Sequence, residues 1–197
     1  MPRVTDEYRA ARRDEILTAA MRAFQRGGFH ATSMADIIAE SGLSAGAIYG
    51  HFEGKHAIIQ SVALQVIGSR VGDLERAMAR DPMPAPPGLV RVLTDGLVRD
   101  VGNASLLVQL WGEAVADDDI RALVYGVFTR LEAAWGAYLA RWQERQHGAS
   151  PAEAAAIATN QLPLYLAAAQ GFILQSALMP RFDREKYLAA VEAHLPQ

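Results

Sequence analysis

Between Gly42 and Phe52 the chain reads GLSAGAIYGHF. Ser44 stands at the start of a short helical pattern, followed by the small residues Ala45, Gly46 and Ala47. A helix start offers free backbone N–H groups and a positive dipole end, which suit a phosphate. Small side chains let an anionic surface approach that backbone closely. Leu43, Ile48 and Phe52 fall on one side, since positions four apart share a helix face. Ser44, Ala45, Gly46, Ala47, Tyr49 and His51 are left to face outward. The other dense polar set is Asp117-Asp118-Asp119, a conceivable metal or acid–base site. Its place directly before an apolar-periodic helix reads better as capping and dipole compensation. The five histidines contain no i, i+4 pair, so a helical zinc site lacks ligands. No glycine-rich phosphate loop and no serine nucleophile elbow occurs. The expectation is a protein that is not an enzyme and uses no cofactor or metal.

The elements that must position the GLSAGAIYGHF stretch are helical, and no alternating strand pattern occurs. Ile16, Leu17, Ala20 and Phe24 form the apolar stripe of a first helix, stopped at Gly27-Gly28. Ser33 or Thr32 caps a second helix, with Asp36 completing a box-like pattern and Met34, Ile37 and Ile38 facing inward. Ser41-Gly42-Leu43 is a tight turn into the short third helix, and a longer fourth runs from Lys55 to about Arg80. Helix, turn and short helix in this order make a helix-turn-helix layout. Arg80 to Gly88 holds four prolines in nine residues and reads as a semi-rigid connector. Helices follow near 88–102 and 104–116. The next carries Ile120, Leu123, Val124, Val127, Leu131, Trp135, Tyr138 and Trp142 as one long buried face. Ser150-Pro151 opens a helix that ends at Pro180, and Asp183 caps a last one. About nine helices result.

The chain has 197 residues, 51% of them hydrophobic, no cysteine and a net charge of −3. A sizeable core is available without disulfides, and a uniformly basic nucleic-acid coat is excluded. Absence of cysteine fits a reducing compartment, and no signal-peptide pattern is visible, so a cytoplasmic location is expected. Ala154 to Pro180 contains no charged residue. Thr159, Asn160, Gln161, Pro163, Gln170, Gln175 and Ser176 interrupt it, so a buried helix is expected and not a membrane span. A helix apolar all round needs cover on its second side, and a partner subunit is the natural candidate.

The runs ILTAAMRAFQRGGFHATSMADIIAESGLS and IYGHFEGKHAII resemble the DNA-binding domain of the TetR family of bacterial transcriptional regulators. The resemblance implies an all-α protein: a three-helix DNA-binding domain over 1–55, then a helical ligand-binding and dimerisation domain over 56–197, with helix four bridging them. It implies that Thr32 and Ser33 touch the DNA backbone. Ser44, Ala45, Gly46 and Ala47 would open the recognition helix, Tyr49 would contact phosphate or a base edge, His51 would make a second contact to the DNA backbone, and Lys55 would pair with phosphate. This chain carries Ala45 where many members have lysine, and Gly50 where many have an aromatic or histidine. Gly46 and Gly50 leave one face bare, so readout is expected from van der Waals contact, Tyr49 and DNA shape. Arg3, Arg9, Arg12 and Arg13 are candidates for further contacts from an N-terminal arm.

In the C-terminal domain the resemblance implies a pocket for a small-molecule effector, and the apolar composition there leans toward a hydrophobic or aromatic one. Gln109, Trp111, Tyr125, Phe128, Asn160, Gln161 and Tyr165 are its candidate residues, with Pro163 freeing a helix carbonyl beside them. Ala167, Ala168, Gly171, Phe172, Gln175, Leu188 and Val191 are candidates for a homodimer face. The implied function is a repressor that binds a near-palindromic operator as a dimer, its two recognition helices about 34 Å apart, and is released by the effector. An activator or a ligand-independent DNA binder of the same fold is the alternative, and a small helical enzyme the remote one.

Overall fold

The protein is described here over residues 6–197 of a computed structural model; Arg3 lies outside the described residues. Among these the chain forms nine α-helices and no strand, as expected: α1 (Asp6–Ala31), α2 (Met34–Ser41), α3 (Ala45–Tyr49), α4 (Lys55–Met78), α5 (Pro86–Val101), α6 (Ala104–Ala116), α7 (Asp118–His147), α8 (Pro151–Leu178) and α9 (Arg184–His194). The chain divides into two compact units, Met1–Gln65 and Val66–Gln197, and the division falls within α4.

In the first unit α1 buries Ile16, Leu17, Ala20 and Phe24, and Phe24 packs on Phe29 with ring centroids 4.8 Å apart. Gly28 interrupts the helix at φ 76°, ψ 167°, a conformation that almost only glycine adopts. The neighbouring glycine has a different reason. A Cβ on Gly27 would lie 2.9 Å from the Thr32 hydroxyl. α2 starts on the expected capping box: Ser33 Oγ accepts the Asp36 N–H, and Asp36 Oδ2 accepts the Ser33 N–H at 2.8 Å. Such a cap contributes about 1 kcal/mol. Gly42 ends α2 in the left-handed region at φ 68° and turns the chain into α3.

The second unit is a helical bundle around Trp135, Tyr138, Leu139 and Trp142 of α7, Tyr165 and Phe172 of α8 and Leu188 of α9. The Tyr138 hydroxyl donates to the Pro84 carbonyl at 2.6 Å, which ties the proline-rich connector to α7. Burial pushes that hydroxyl's pKa up to about 12. The long buried face expected on α7 is only partly realised. Ile120, Trp135, Tyr138, Leu139 and Trp142 are buried, whereas Leu123, Val124, Val127 and Leu131 are half-buried. This half of α7 lies beside the short α6, with Trp111 and Phe128 6.0 Å apart.

One charged side chain is buried in this bundle. Arg70 of α4 is 3% exposed, donates to Asp100 at 2.7 Å and lies 2.9 Å from Asp73. The Asp73 contact is an ion pair without hydrogen-bond geometry. Burial pulls the Arg70 pKa down, opposed by Asp100 and Asp73. The guanidinium is seated on α5: a Cβ on Gly96 would fall 1.2 Å from Arg70 Nη1. Breaking a buried ion cluster costs about 3–5 kcal/mol. Gly96→Ala is therefore expected to destabilise this unit by about 3 kcal/mol in chemical denaturation. In an Arg70→Met background the same substitution should cost less, because the guanidinium clash is gone and only Asp73 Oδ2, 2.8 Å from the added Cβ, must shift.

Candidate nucleic-acid interface

α3 is capped by Ser44, whose Oγ accepts the Ala47 N–H at 3.2 Å. Ile48 is 0% and Phe52 2% exposed. These two side chains anchor the helix. Ser44, Ala45, Gly46, Tyr49 and Gly50 are exposed, and Ala47 and His51 half-buried. Tyr49 stands out at 53% exposure. A Cβ on Gly46 would meet nothing within 4 Å, while one on Gly50 would lie 3.2 Å from the Gly46 carbonyl oxygen. The bare face thus has two origins. At Gly50 the backbone of α3 crowds the position. At Gly46 nothing in the chain forbids a side chain.

Several flanking residues differ from the sequence expectation. Thr32 is buried at 3% exposure, and its hydroxyl is engaged with the Gly28 carbonyl at 2.7 Å. It closes the α1–α2 turn and is not presented to an outside partner. Ser33 is exposed, but its hydroxyl is already shared with Asp36. Lys55 donates from Nζ to the carbonyls of Phe29 at 2.9 Å and His30 at 3.3 Å, so it caps the chain leaving α1, where a cation is favoured. Arg13 sits 4.4 Å over the Phe52 ring and donates to Ser61 at 2.6 Å. It braces the end of the α3 segment. Arg12 is held by Glu15 and Tyr8, and Arg9 is exposed. The geometry that sequence reasoning misses is this bracing, because its partners lie up to 48 residues apart.

The angle between α1 and α2 is held by charge. Arg22 and Arg26 of α1 both pair with Glu40 of α2, and these hydrogen bonds lower the Glu40 pKa to about 2.

The C-terminal candidates separate onto different faces. Tyr165 is fully buried, packed on Trp135 at 5.7 Å, with its hydroxyl donated to the Pro196 carbonyl. Gln161, Trp111 and Phe128 are half-buried. Tyr125 is 72% exposed, and Gln109, Asn160 and Pro163 are also exposed. The proline position and Asn160 therefore lie on the outer side of α8, away from Gln161 and Tyr165 on its inner side. Of the dimer candidates, Phe172 and Leu188 belong to the chain's own core at 2% and 0% exposure. Ala168 and Val191 pack against that core, and Gln175 is half-buried. Gly171 makes room for α9: its Cβ would lie 2.7 Å from the Tyr187 hydroxyl, which donates to the Ala168 carbonyl. Only Ala167 of this set is exposed. The small-residue stripe admits a neighbouring helix of the same chain. The outer face instead carries Leu164, Ala167, Leu174 and Leu178. So α8 is not buried on nearly all sides. Among the described residues no helix is long and apolar enough to cross a membrane, and no group of acidic or histidine side chains could hold a metal.

Residues 16–62 match the family model of bacterial regulatory proteins, tetR family. The helix-turn-helix unit is a TetR-family domain. The chain is 32% identical over 117 residues to the HTH-type transcriptional regulator UidR of Escherichia coli, covering 57% of this chain and 56% of that one. It thus spans about half the length of the curated relatives it matches. Salmonella enterica GusR has the same fold, with a TM-score of 0.66 and 22% identity over 98% of this chain and 97% of that one. So does FadR from Bacillus subtilis in complex with stearoyl-CoA, with a TM-score of 0.70 and 14% identity over 92% and 96% of the two chains. The TetR-family resemblance and the all-α class read from sequence both hold.

Within the TetR-family unit the Arg22–Glu40–Arg26 cluster carries a pH signature. Glu40 titrates lower folded than unfolded, so its contribution is complete above the ordinary carboxylate value of about 4.5. That contribution is lost as pH falls toward 2. Glu40→Gln should lower the melting temperature at pH 6, with the difference from the parent vanishing by about pH 2. Added salt should shrink the effect as well, since the pairs are exposed.

Proposed function

We propose that this chain is a ligand-responsive transcriptional repressor. It binds a near-palindromic operator as a homodimer through α3 and is released by a small molecule held in the C-terminal unit. The observation that carries the reading is an exposed, capped α3 in a TetR-family unit, anchored from behind by Ile48 and Phe52. Ser44, Ala45, Gly46, Ala47, Tyr49 and His51 form the reading surface, with Ser33 at its edge. Tyr49 supplies the long side chain, and Gly46 lets the backbone approach the major groove. The named regulators among the relatives support transcriptional control. The complex of FadR with stearoyl-CoA supports a small-molecule site in a bundle of this fold.

A second copy of the chain is the partner proposed for the outer face of α8. Leu174 and Leu178 there are 43% and 58% exposed on an uncharged helix. A dimer also supplies the two reading heads that a palindrome requires.

The test is a gel shift with DNA from upstream of the chain's own gene. Tyr49→Ala should weaken binding about tenfold or more with an unchanged circular dichroism spectrum. Unchanged affinity would remove α3 as the reading element. Lys55→Ala is a poorer probe, because Lys55 also caps the exit from α1. Leu174→Glu should give monomers by light scattering and abolish the shift; a dimeric, DNA-binding variant would move the interface elsewhere.

A further inference from the structure

The helical spacing of α3 runs on past Tyr49. Gly50 keeps right-handed helical angles at φ −69°, ψ −16°, and the Phe52 N–H donates to the Ile48 carbonyl at 3.0 Å. Residues four apart are neighbours on such a surface, so the side opposite the buried Ile48 and Phe52 carries three rows. Ala45 pairs with Tyr49, Gly46 with Gly50, and Ala47 with His51. The middle row has no side chain, and a Cβ at Gly46 would have nothing of this chain within 4 Å. Each outer row starts in a methyl group, with Ala45 exposed and Ala47 half-buried, and ends in a ring. Polar side-chain atoms between Ala45 and Phe52 occur on Tyr49 and His51 alone. The Ser44 hydroxyl, at the front, already accepts the Ala47 N–H.

This chemistry selects among the bases. In the major groove guanine shows two acceptors, read by arginine or lysine. Adenine shows an acceptor and a donor, read by asparagine or glutamine, and cytosine a donor, read by a carboxylate. None of these residue types lies between Ala45 and Phe52. The cations beside the segment are committed within their own unit: Lys55 to the Phe29 and His30 carbonyls, and Arg13 to the Phe52 ring and Ser61. Thymine also presents a methyl group, which apolar side chains such as alanine read by contact. We infer that the base read at the front of α3 is thymine, its 5-methyl group packed against the methyl groups of Ala45 and Ala47. The bare Gly46 backbone between them lets the helix come close enough for such short side chains to reach. This rests on the DNA-binding reading of α3 above. Tyr49 and His51 take the polar contacts at the far end, and each lost methyl contact costs about fourfold in affinity.

The experiment uses the full chain and duplex DNA from upstream of its own gene, made either with thymine or with uracil at every thymine position. Uracil keeps the base pair and lacks only the methyl group. Full replacement should weaken binding about tenfold or more. In DNA carrying sparse uracils, the bound fraction should be depleted of uracil at a few positions repeated in each half-site. Ala45→Gly and Ala47→Gly should each lower the thymine-to-uracil affinity ratio and erase part of that pattern. A loss of helix stability alone would weaken both DNAs alike and leave the ratio unchanged. Equal binding of the two DNAs by the parent, or a ratio that neither glycine variant lowers, would overturn the inference while leaving α3 as a DNA-binding element. No shift with the thymine DNA would remove the DNA-binding reading and this inference with it. The comparison of the two DNAs in the parent decides even if a variant fails to fold.

Discussion

A helix of five residues does not hold its shape in water, because it has too few hydrogen bonds to offset the cost of nucleation. α3 is such a helix, and it exists because Ile48 and Phe52 are buried behind it. The rest of the first unit serves that burial. Gly28 and Gly42 turn the chain so that α1 and α2 cross, Arg22 and Arg26 hold the crossing through Glu40, and Arg13 closes over the Phe52 ring from the other side. Polar residues that look available for an outside partner are used inside: the Thr32 hydroxyl and the Lys55 ammonium both satisfy carbonyls where α1 ends. What is left facing out is small, uncharged and led by one tyrosine.

The second unit follows a different logic, in which single glycines answer to single side chains. Gly96 seats the Arg70 guanidinium and Gly171 seats the Tyr187 hydroxyl. A mid-helix glycine costs roughly 1 kcal/mol relative to alanine, and here each admits a polar group that would otherwise have no place in the bundle. The result is a well-filled lower half around Trp135, Tyr138 and Trp142 and a looser half between α6 and the start of α7.

Helix order, caps and the helix-turn-helix were legible because their signals are local. Ser33 with Asp36, Ser150-Pro151 at the start of α8, and Gly42 after α2 each act within a few residues, and all three are realised. The buried Ile48 and Phe52 could be read from spacing alone, with Leu43 half-buried beside them. The faces of α8 could not. A helix with no charge between Ala154 and Leu178 gives no polar contrast between its two sides, so Phe172 and Ala168 looked as suited to a partner as Leu174 does. The inward role of Thr32 is not legible, because its hydroxyl partners lie behind it in α1, across a glycine whose conformation the sequence leaves open. The Arg70 seat had a weak signal that went unused: Gly96 in the middle of an otherwise regular helical pattern, where an isolated glycine usually answers to packing.

Gly46 differs from every other glycine discussed here. Gly28 and Gly42 are required by backbone angle, and Gly27, Gly96 and Gly171 by a neighbouring atom. Gly46 is required by nothing in its own chain. Its small size is therefore not a requirement of the fold. A lineage, or an engineer, can change residue 46 while leaving folding almost untouched, and under the proposed reading such a change alters the surface offered to DNA. Under that reading the position is a free dial.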